Sequence, residues 1–204
     1  SMFYRMSVAV ISPTLVEELG FTSSQLSDLC AVFFYAFALS QTPVGMALER
    51  FGCRMTMACL AVVGVGGGLL FALGTSPLML IGARMLLGVG MSGNFMVILT
   101  LLAAWFPVDR FGLLSGLVVS VGVLGNLVAA TPLAFLNLHF GWRESFLIIA
   151  AVNVIVVAVF VAVIRDMPPG HEPPAREHNS VFAGLSRILR MYAYWAISLA
   201  SFVR

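Results

Sequence analysis

The chain has 204 residues, of which 60% are hydrophobic and only 10% are charged. A soluble domain carries roughly 25% charged residues, so this composition excludes an ordinary soluble domain and indicates a protein that sits in a lipid bilayer. The net charge of +2 gives no reason to expect a nucleic-acid partner. We therefore divide the chain into apolar runs, each of about 20 residues where it crosses the membrane.

The sequence shows no catalytic or metal-binding constellation. The three cysteines, Cys30, Cys53 and Cys59, lie in or beside apolar runs without metal-ligand spacing, so we interpret them as packing residues. Gly88 and Gly90 fall inside an apolar helical run and do not follow a strand, so they do not predict a phosphate-binding loop. We expect no enzyme activity, no metal and no cofactor.

Six apolar runs follow one another along the chain. The first, Met2–Leu19, is apolar from its start, carries Arg5 and lacks the features of a signal peptide, so we interpret it as the outer part of a transmembrane helix. Thr22 to Gln25 offer capping hydroxyls for the second. Glycines spaced for close helix packing mark the third and fifth runs. The predicted helices after the first cover residues 25–48, 55–73, 78–105, 112–138 and 145–164.

The sixth run ends in a change of composition. Residues 1–165 are predicted to form the six-helix transmembrane bundle. Residues 166–191 are polar and rich in proline, which predicts a cytoplasmic linker, and residues 181–191 within it have the spacing of an amphipathic surface helix. Residues 192–204 predict the start of a seventh transmembrane helix.

The arginines indicate the orientation. Most of those in the connections fall on one face, whereas the opposite face holds Arg143 among acidic residues. Positive residues favour the cytoplasmic side, so we expect a multi-pass protein of a bacterial inner membrane with a cytoplasmic N-terminus. The arginines of the predicted cytoplasmic face are Arg50, Arg54, Arg110, Arg165, Arg176, Arg187 and Arg190.

Four motifs carry a family resemblance. They are Gly45-Met-Ala-Leu-Glu49-Arg50-Phe-Gly52-Cys-Arg54, Arg84-Met-Leu-Leu-Gly88-Val-Gly90, Trp105-Phe-Pro107 and Phe140-Gly-Trp-Arg143. Between six apolar runs, this set resembles the N-terminal half of a major facilitator superfamily transporter, closest to the anion and organophosphate symporters. The resemblance implies an all-α integral membrane fold, a six-helix bundle that requires a second six-helix half, and secondary transport of a small molecule.

Arg5 is the first candidate for binding that molecule. Counting back from Leu19 at about 1.5 Å per residue puts it roughly 20 Å deep, where a permanent charge needs a partner, a watery cavity or an anionic ligand. Phe3-Tyr4-Arg5 also resembles the first helix of the family branch, whose arginine binds the substrate anion. The alternative is an arginine whose side chain reaches the cytoplasmic surface.

Four further residues are candidates for substrate contact. Gln41, Asn94 and Asn126 are amides inside the second, fourth and fifth runs, and Tyr35 shares a helical face of the second run with Leu39. The alternatives are hydrogen bonds between helices, worth roughly 1 kcal/mol or less per pair, and aromatic packing for Tyr35.

Arg84 has two alternative roles. The resemblance links the arginine that heads this motif to proton coupling, whereas a structural arginine would donate to backbone carbonyls of a neighbouring helix. In the branch it resembles, acidic residues stand where this chain has Tyr4 and Met91, and neither side chain can take up and release a proton at neutral pH. Exchange of one anion for another, or coupling through the other half, fits this chain better than proton symport through this half.

The charged connections resemble the family's inner gate, in which carboxylates and arginines pair across the helix interface. Cys53 and Phe111 depart from the family pattern, which makes the expected network thinner. The residues we assign to the gate are Gly45, Glu49, Arg50, Gly52, Arg54, Asp109 and Arg110.

The sequence therefore predicts half of an alternating-access transporter for a small organic anion, with a carboxylate as the expected substrate. Two alternatives remain open at this point: a drug or neutral-solute efflux transporter of the same superfamily, and a membrane half that does not transport. The expected partners are the anionic substrate, the lipid bilayer and a C-terminal six-helix half.

Overall fold

The computed structural model describes residues 2–164 and 166, apart from the side chains of residues 2, 3, 5, 6, 126, 127, 129 and 130. This part of the chain is helical: α1 (Met2–Leu19), α2 (Ser23–Ala72), α3 (Pro77–Met91), α4 (Asn94–Trp105) and α5 (Val108–Val163). The predicted all-helical membrane fold is confirmed. The predicted linker and seventh run lie outside the described residues, except for Asp166.

Four stretches of the described residues are long and apolar enough to cross a membrane. They are Ser23–Ala72, Pro77–Trp105, Val108–Gly125 and Thr131–Val163.

Glycines break the two longest helices. Gly52 in α2 has φ 81° and ψ 174°, and Gly141 in α5 has φ 80° and ψ 168°. Both lie at positive φ, where a residue with a Cβ is strained. Each long helix therefore consists of two arms. With α1, and with α3 and α4 taken together, these arms correspond to the six predicted apolar runs.

The predicted helix starts are confirmed at two connections. Before α2, the Gln25 backbone N–H donates to Thr22 Oγ1 (3.3 Å) while the Thr22 N–H donates to Gln25 Oε1 (2.9 Å), which forms a capping box. Before α3, Ser76 Oγ accepts from the Met79 N–H (3.3 Å). These caps satisfy amide groups that the first helical turn leaves without partners.

One predicted boundary is wrong. Helix α5 begins at Val108, so Asp109 and Arg110 lie in its first turn and not in a loop. The predicted fourth helix is present as one span, Pro77–Trp105, but its hydrogen bonding is interrupted between Met91 and Asn94, where Ser92 and Gly93 keep helical dihedral angles. The apolar character continues through this break, which is why hydropathy alone did not reveal it.

The apolar core joins α1, both arms of α2, α3 and the second arm of α5. Aromatic rings fill its centre: Phe71 stacks on Phe146 with 4.3 Å between ring centroids and meets Trp142 edge-on at 5.8 Å. The buried members of the core are Tyr4, Ile11, Leu15, Phe21, Leu29, Phe33, Phe71, Ala72, Leu80, Ala83, Leu87, Met91, Trp142 and Phe146.

Helix α3 lies against both arms of α2, and glycines allow the close approach. A Cβ added to Gly88 would lie 2.5 Å from the Phe33 carbonyl oxygen in the first arm. A Cβ added to Gly90 would collide with the backbone of Gly64 in the second arm. Small residues at such crossings let helix backbones approach closely in membranes.

The glycine spacing predicted close packing correctly in one helix but not in the other. In the second arm of α2, a Cβ on Gly67 would lie 2.8 Å from the Leu87 amide nitrogen. In the first arm of α5, no atom of the described residues lies within 4 Å of a Cβ built on Gly112, Gly116 or Gly125. The expected close-packing face of α5 is therefore not used within this part of the chain.

Candidate functional site

Arg84 is the most deeply placed charge in the described bundle. It lies in the middle of α3, and its side chain is 1% exposed. Its guanidinium carbon stands 4.9 Å from the centroid of the Phe71 ring and 5.9 Å from that of Phe33. Aromatic faces attract cations, and the attraction is stronger when the cation is desolvated.

Two hydrogen bonds join this guanidinium to α1. Nη1 donates to the Tyr4 carbonyl oxygen (2.7 Å), and Nη2 donates to Ser7 Oγ (2.7 Å). The Ser7 hydroxyl donates in turn to the same Tyr4 carbonyl (2.9 Å). Among the described residues no carboxylate pairs with Arg84, and its Nε lacks a hydrogen-bond partner. A donor to a carbonyl of a neighbouring helix is one of the two roles considered for this residue.

The residues of α1 divide into two faces. Tyr4, Ser7, Ile11 and Leu15 are buried, with exposed fractions of 1% or less. Val8 is also buried, whereas Ala9 and Pro13 are exposed and Val16 is 45% exposed on the other face. The side chain of Arg5 is not described. At about 100° per residue, however, the Arg5 position shares the exposed face with Ala9 and Val16.

The break between α3 and α4 brings together two candidate side chains, Gln41 of α2 and Asn94 of α4. Gln41 projects from the first arm of α2, and its Nε2 donates to the Ser92 carbonyl oxygen (3.4 Å) at the break. Asn94 Nδ2 lies 3.5 Å from Met91 Sδ, three residues earlier in the chain, which is a weak contact. Both side chains are half-buried. Gln41 therefore satisfies a carbonyl group that the break frees from regular helical hydrogen bonding.

The other two substrate candidates are less defined. Tyr35 is 68% exposed on α2 and contributes nothing to the described core. Asn126 belongs to α5, but its side chain is not among those that the structure describes. The structure thus brings Gln41 and Asn94 to one break and does not bring Tyr35 to them.

The carboxylate of Asp166, 112 residues along the chain from Arg54, contacts the break in α2. The Arg54 backbone N–H donates to Asp166 Oδ1 (2.7 Å), and a Cβ on Gly52 would lie 2.7 Å from Asp166 Oδ2. Asp166 therefore caps the N-terminus of the second arm, where unpaired amides and the helix dipole favour negative charge. Sequence reasoning missed this role and placed Asp166 in the linker. The available signal was an acidic residue just beyond the sixth run.

The remaining gate candidates do not pair with one another in the described structure. Glu49, Arg50, Asp109 and Arg110 are all exposed, and no ion pair joins them within the described residues. The Arg50 guanidinium carbon lies 5.5 Å from the centroid of its neighbour's ring, Phe51.

Gly45 is the first residue of the gate motif and lies within the first arm of α2. It is half-buried, and no described atom lies within 4 Å of a Cβ built on it. An alanine would therefore fit at this position.

A second carboxylate meets the break in α5 at the opposite end of the bundle. Glu18 Oε2 accepts from Trp142 Nε1 (2.8 Å) and from Arg143 Nη1 (3.0 Å). Arg143 Nη2 donates to the Gly74 carbonyl oxygen (3.2 Å) in the turn before α3. These contacts tie the end of α1 to the α2–α3 turn and to α5. The described residues contain no group of His, Cys, Asp and Glu that could hold a metal ion.

Comparison of the sequence with known proteins places this chain in a family. The model of the Major Facilitator Superfamily matches residues 1–203. "Probable sulfoacetate transporter SauU" of Cupriavidus necator is 28% identical over 82% of this chain and 39% of its own length. "Uncharacterized transporter YybO" of Bacillus subtilis is 29% identical over 83% of this chain, and a transporter of Agrobacterium vitis named for tartrate is 30% identical over 80%.

The match to these relatives is partial in length. The chain spans about 39% of each of these three proteins. The family model nevertheless covers nearly every residue of the chain, and the all-helical fold agrees with it. The chain is a multi-pass membrane protein that belongs to the Major Facilitator Superfamily.

Proposed function

We propose that this chain forms one half of an alternating-access transporter that moves a small organic anion, with a carboxylate as the favoured class. In this mechanism two six-helix bundles rock about a site between them. One observation carries the proposal: the Arg5 position lies on the face of α1 that the described bundle leaves uncovered, next to exposed Ala9 and Val16. We propose that the cation of Arg5 meets the ligand on that face.

The geometry of Arg84 supports the same assignment. Arg5 and Arg84 are the two arginines within the first six apolar runs. Arg84 is buried and already donates to Tyr4 and Ser7, so it does not reach a ligand between the bundles. Arg5 is left as the substrate cation. The names of two relatives, sulfoacetate and tartrate, fit an anionic substrate, and each of these compounds carries a carboxylate.

We further propose that transport is an exchange of anions, or is coupled through the other half. The buried positions that would hold proton-carrying carboxylates are Tyr4 and Met91. Buried carboxylates within a membrane bundle are the usual proton relays, and these two side chains cannot replace them at neutral pH. Gln41 and Asn94, beside the α3–α4 break, are proposed to contact the substrate together with Asn126 and Tyr35.

We propose that the exposed charges at the break in α2 and in the first turn of α5 form an inner gate with the second half. Glu49, Arg50 and Arg54 stand at one helix break, and Asp109 and Arg110 stand in the first turn of α5. Their exposure leaves them free to pair with another bundle. From the arginine distribution we propose that this face is cytoplasmic, that the N-terminus lies on the same side and that the protein is in the inner membrane.

The test is ligand-induced thermal stabilisation of the complete transporter in detergent. The probes are acetate, tartrate, sulfoacetate, inorganic phosphate and choline, each against wild type, Arg5→Ala and the control Arg143→Ala, whose arginine is assigned neither to the substrate nor to the gate and is 41% exposed. A ligand at 100 times its Kd adds roughly 2.7 kcal/mol to stability, so a bound anion raises the melting temperature measurably.

We expect a shift with a carboxylate that disappears in Arg5→Ala and persists in Arg143→Ala. A shift with choline alone would replace the anion assignment by a cationic substrate. A carboxylate shift that survives Arg5→Ala would remove Arg5 from the site.

A further inference from the structure

We infer that Gln41 is a specificity-determining residue that selects carboxylates which also carry a hydroxyl group. Its carboxamide is held so that the oxygen, and not the nitrogen, is left for a ligand. The inference rests on the proposed function, because it names the kind of anion that the proposed site takes. It makes no use of the side chain of Arg5.

The break between α3 and α4 sets the orientation of this carboxamide. Gln41 Nε2 donates to the Ser92 carbonyl oxygen (3.4 Å). A carbonyl oxygen only accepts hydrogen bonds, so the amide must turn its nitrogen towards it. The opposite orientation would place two oxygens against each other and leave the carbonyl without a donor. Gln41 Oε1 is therefore the end of the amide that is turned away from Ser92.

The oxygen of this carboxamide has no partner within the described residues. No described N–H or O–H donates to Gln41 Oε1, and this atom is not one of the buried side-chain atoms that lack a hydrogen-bond partner. It is therefore open to solvent or to a ligand. A carboxamide oxygen only accepts, so a ligand group that meets it must donate a hydrogen bond.

The carbonyl that orients Gln41 is itself held in place. Ser92 is 1% exposed, and its hydroxyl donates to the Val89 carbonyl oxygen (2.6 Å). A Cβ added to the next residue, Gly93, would collide with the Leu60 side chain in the second arm of α2. The break is thus packed and cannot shift freely. An acceptor that a fixed partner already orients loses little conformational freedom when a ligand binds.

Asn94 supplies a second carboxamide oxygen at the same break. Its Nδ2 lies 3.5 Å from Met91 Sδ, and a thioether sulfur is a weak acceptor, which favours the nitrogen at that contact. Its Oδ1 has no donor within the described residues and, like Gln41 Oε1, is not one of the buried atoms without a partner. Two open carboxamide oxygens favour a ligand that carries more than one donor.

A hydroxyl is the donor that fits this break best. An ammonium group within a membrane bundle needs a carboxylate partner, and none of the described carboxylates contacts Gln41 or Asn94. A hydroxyl is neutral and needs hydrogen bonds alone. It can also accept from the second Nε2 hydrogen of Gln41, which the bond to Ser92 leaves unused. A carboxylate with hydroxyl groups therefore matches the break better than a simple carboxylate.

The test compares three four-carbon ligands. Tartrate carries two carboxylates and two hydroxyls, and succinate carries the carboxylates alone. Threitol keeps the two hydroxyls of tartrate and has a hydroxymethyl group in place of each carboxylate. Isothermal titration calorimetry on the complete transporter in detergent gives the Kd of each ligand.

Three variants are compared with wild type. Gln41→Met removes the acceptor and is close in length. Gln41→Lys keeps a donor for the Ser92 carbonyl but has no acceptor, so it carries the test should Gln41→Met fail to fold. Thr100→Val is the matched control, because Thr100 is exposed on α4 and its hydroxyl donates within that helix, to the Met96 carbonyl oxygen (2.9 Å).

We expect wild type to bind tartrate ~10-fold more tightly than succinate, which is about the net contribution of one hydrogen bond. This preference should disappear in Gln41→Met and Gln41→Lys and persist in Thr100→Val. If Gln41 only satisfied the Ser92 carbonyl, Gln41→Met would weaken both ligands alike and leave their Kd ratio unchanged. A tartrate preference that persists in both Gln41 variants, or equal Kd values in wild type, overturns the inference.

A cation is the competing occupant, because carbonyl oxygens at interrupted membrane helices also coordinate Na⁺. Sodium chloride is therefore compared with choline chloride in the same thermal-shift assay. Stabilisation of wild type by Na⁺ that is lost in Gln41→Met, together with an unchanged ratio of the tartrate and succinate Kd values, would assign the break to a cation and overturn the inference.

The outcome separates the inference from the proposed function. If wild type binds threitol in a manner that depends on Gln41 and binds neither dicarboxylate, the anion assignment is wrong and the selection of hydroxyl groups by Gln41 stands. If tartrate and succinate bind equally and Arg5→Ala abolishes both, the anion assignment stands and the inference is wrong. Binding of none of the three ligands to wild type also overturns the inference.

Discussion

Replacing Gly88 by alanine should destabilise the bundle, although alanine is the better helix former. The added Cβ would lie 2.5 Å from the Phe33 carbonyl oxygen, 3.0 Å from Ala36 Cβ and 3.1 Å from the Phe37 amide nitrogen. Two of these three atoms belong to the backbone and cannot move away as a flexible side chain would. Ordinary carbon contacts need about 3.5 Å or more, so α3 must move from α2 by roughly 1 Å.

The size of the effect follows from this displacement. A radial gap of ~1 Å forfeits up to half of the attraction at each contact it opens, and insertion of a methyl group into a packed interior typically costs about 1–3 kcal/mol. Gly82→Ala is the matched control. It lies in the same helix, and a Cβ there meets no described atom within 4 Å.

The assay is unfolding of purified protein in mixed micelles, followed by circular dichroism as the fraction of denaturing detergent increases. Gly88→Ala should unfold at a lower denaturant fraction than wild type, and Gly82→Ala at an equal or higher one. Equal stability of the two variants would refute the argument, because they share the propensity change and differ only in the contact with α2.

Three further predictions test the helix ends by the same unfolding assay. Gly52→Ala should lose ~1–2 kcal/mol because its φ of 81° strains an alanine, whereas Gly45→Ala, without such a φ, should be neutral; equal losses would contradict this. Glu18→Ala should lower stability by less than ~1 kcal/mol and change the fluorescence of Trp142, whose Nε1–H loses its acceptor. An unchanged Trp142 spectrum would argue against that bond. Thr22→Ala should cost ~1 kcal/mol through the lost cap of α2, and a neutral result would show that the cap is dispensable.

The sequence predicted the membrane-crossing segments well because hydropathy and capping are local properties. Thr22 and its partner Gln25 mark the start of α2 in the sequence and cap it in the structure. The break at Ser92 could not be predicted in this way, because the carbonyl it frees is satisfied by Gln41 from another helix. Such a contact exists only after the helices pack.

The candidate site was less predictable for the same reason. That Arg84 needed a partner was evident from its place in an apolar run, but the sequence could not say which groups would supply it. The acceptors are a backbone carbonyl, which every residue possesses, and the hydroxyl of Ser7. Asp166 was missed because its role depends on the backbone geometry at Gly52.

The two glycine breaks repeat one local design at opposite ends of the bundle. Phe51-Gly-Cys-Arg54 and Phe140-Gly-Trp-Arg143 share the pattern Phe-Gly-x-Arg, and their glycines have nearly the same φ and ψ. In both, the residue after the glycine is buried and a carboxylate from elsewhere in the chain meets the arginine segment. The described bundle thus carries two copies of one turn, one at each end, and each is held by its own carboxylate. Because Asp166 holds one turn and Glu18 the other, loss of either carboxylate loosens one end of the bundle and leaves the opposite end fastened.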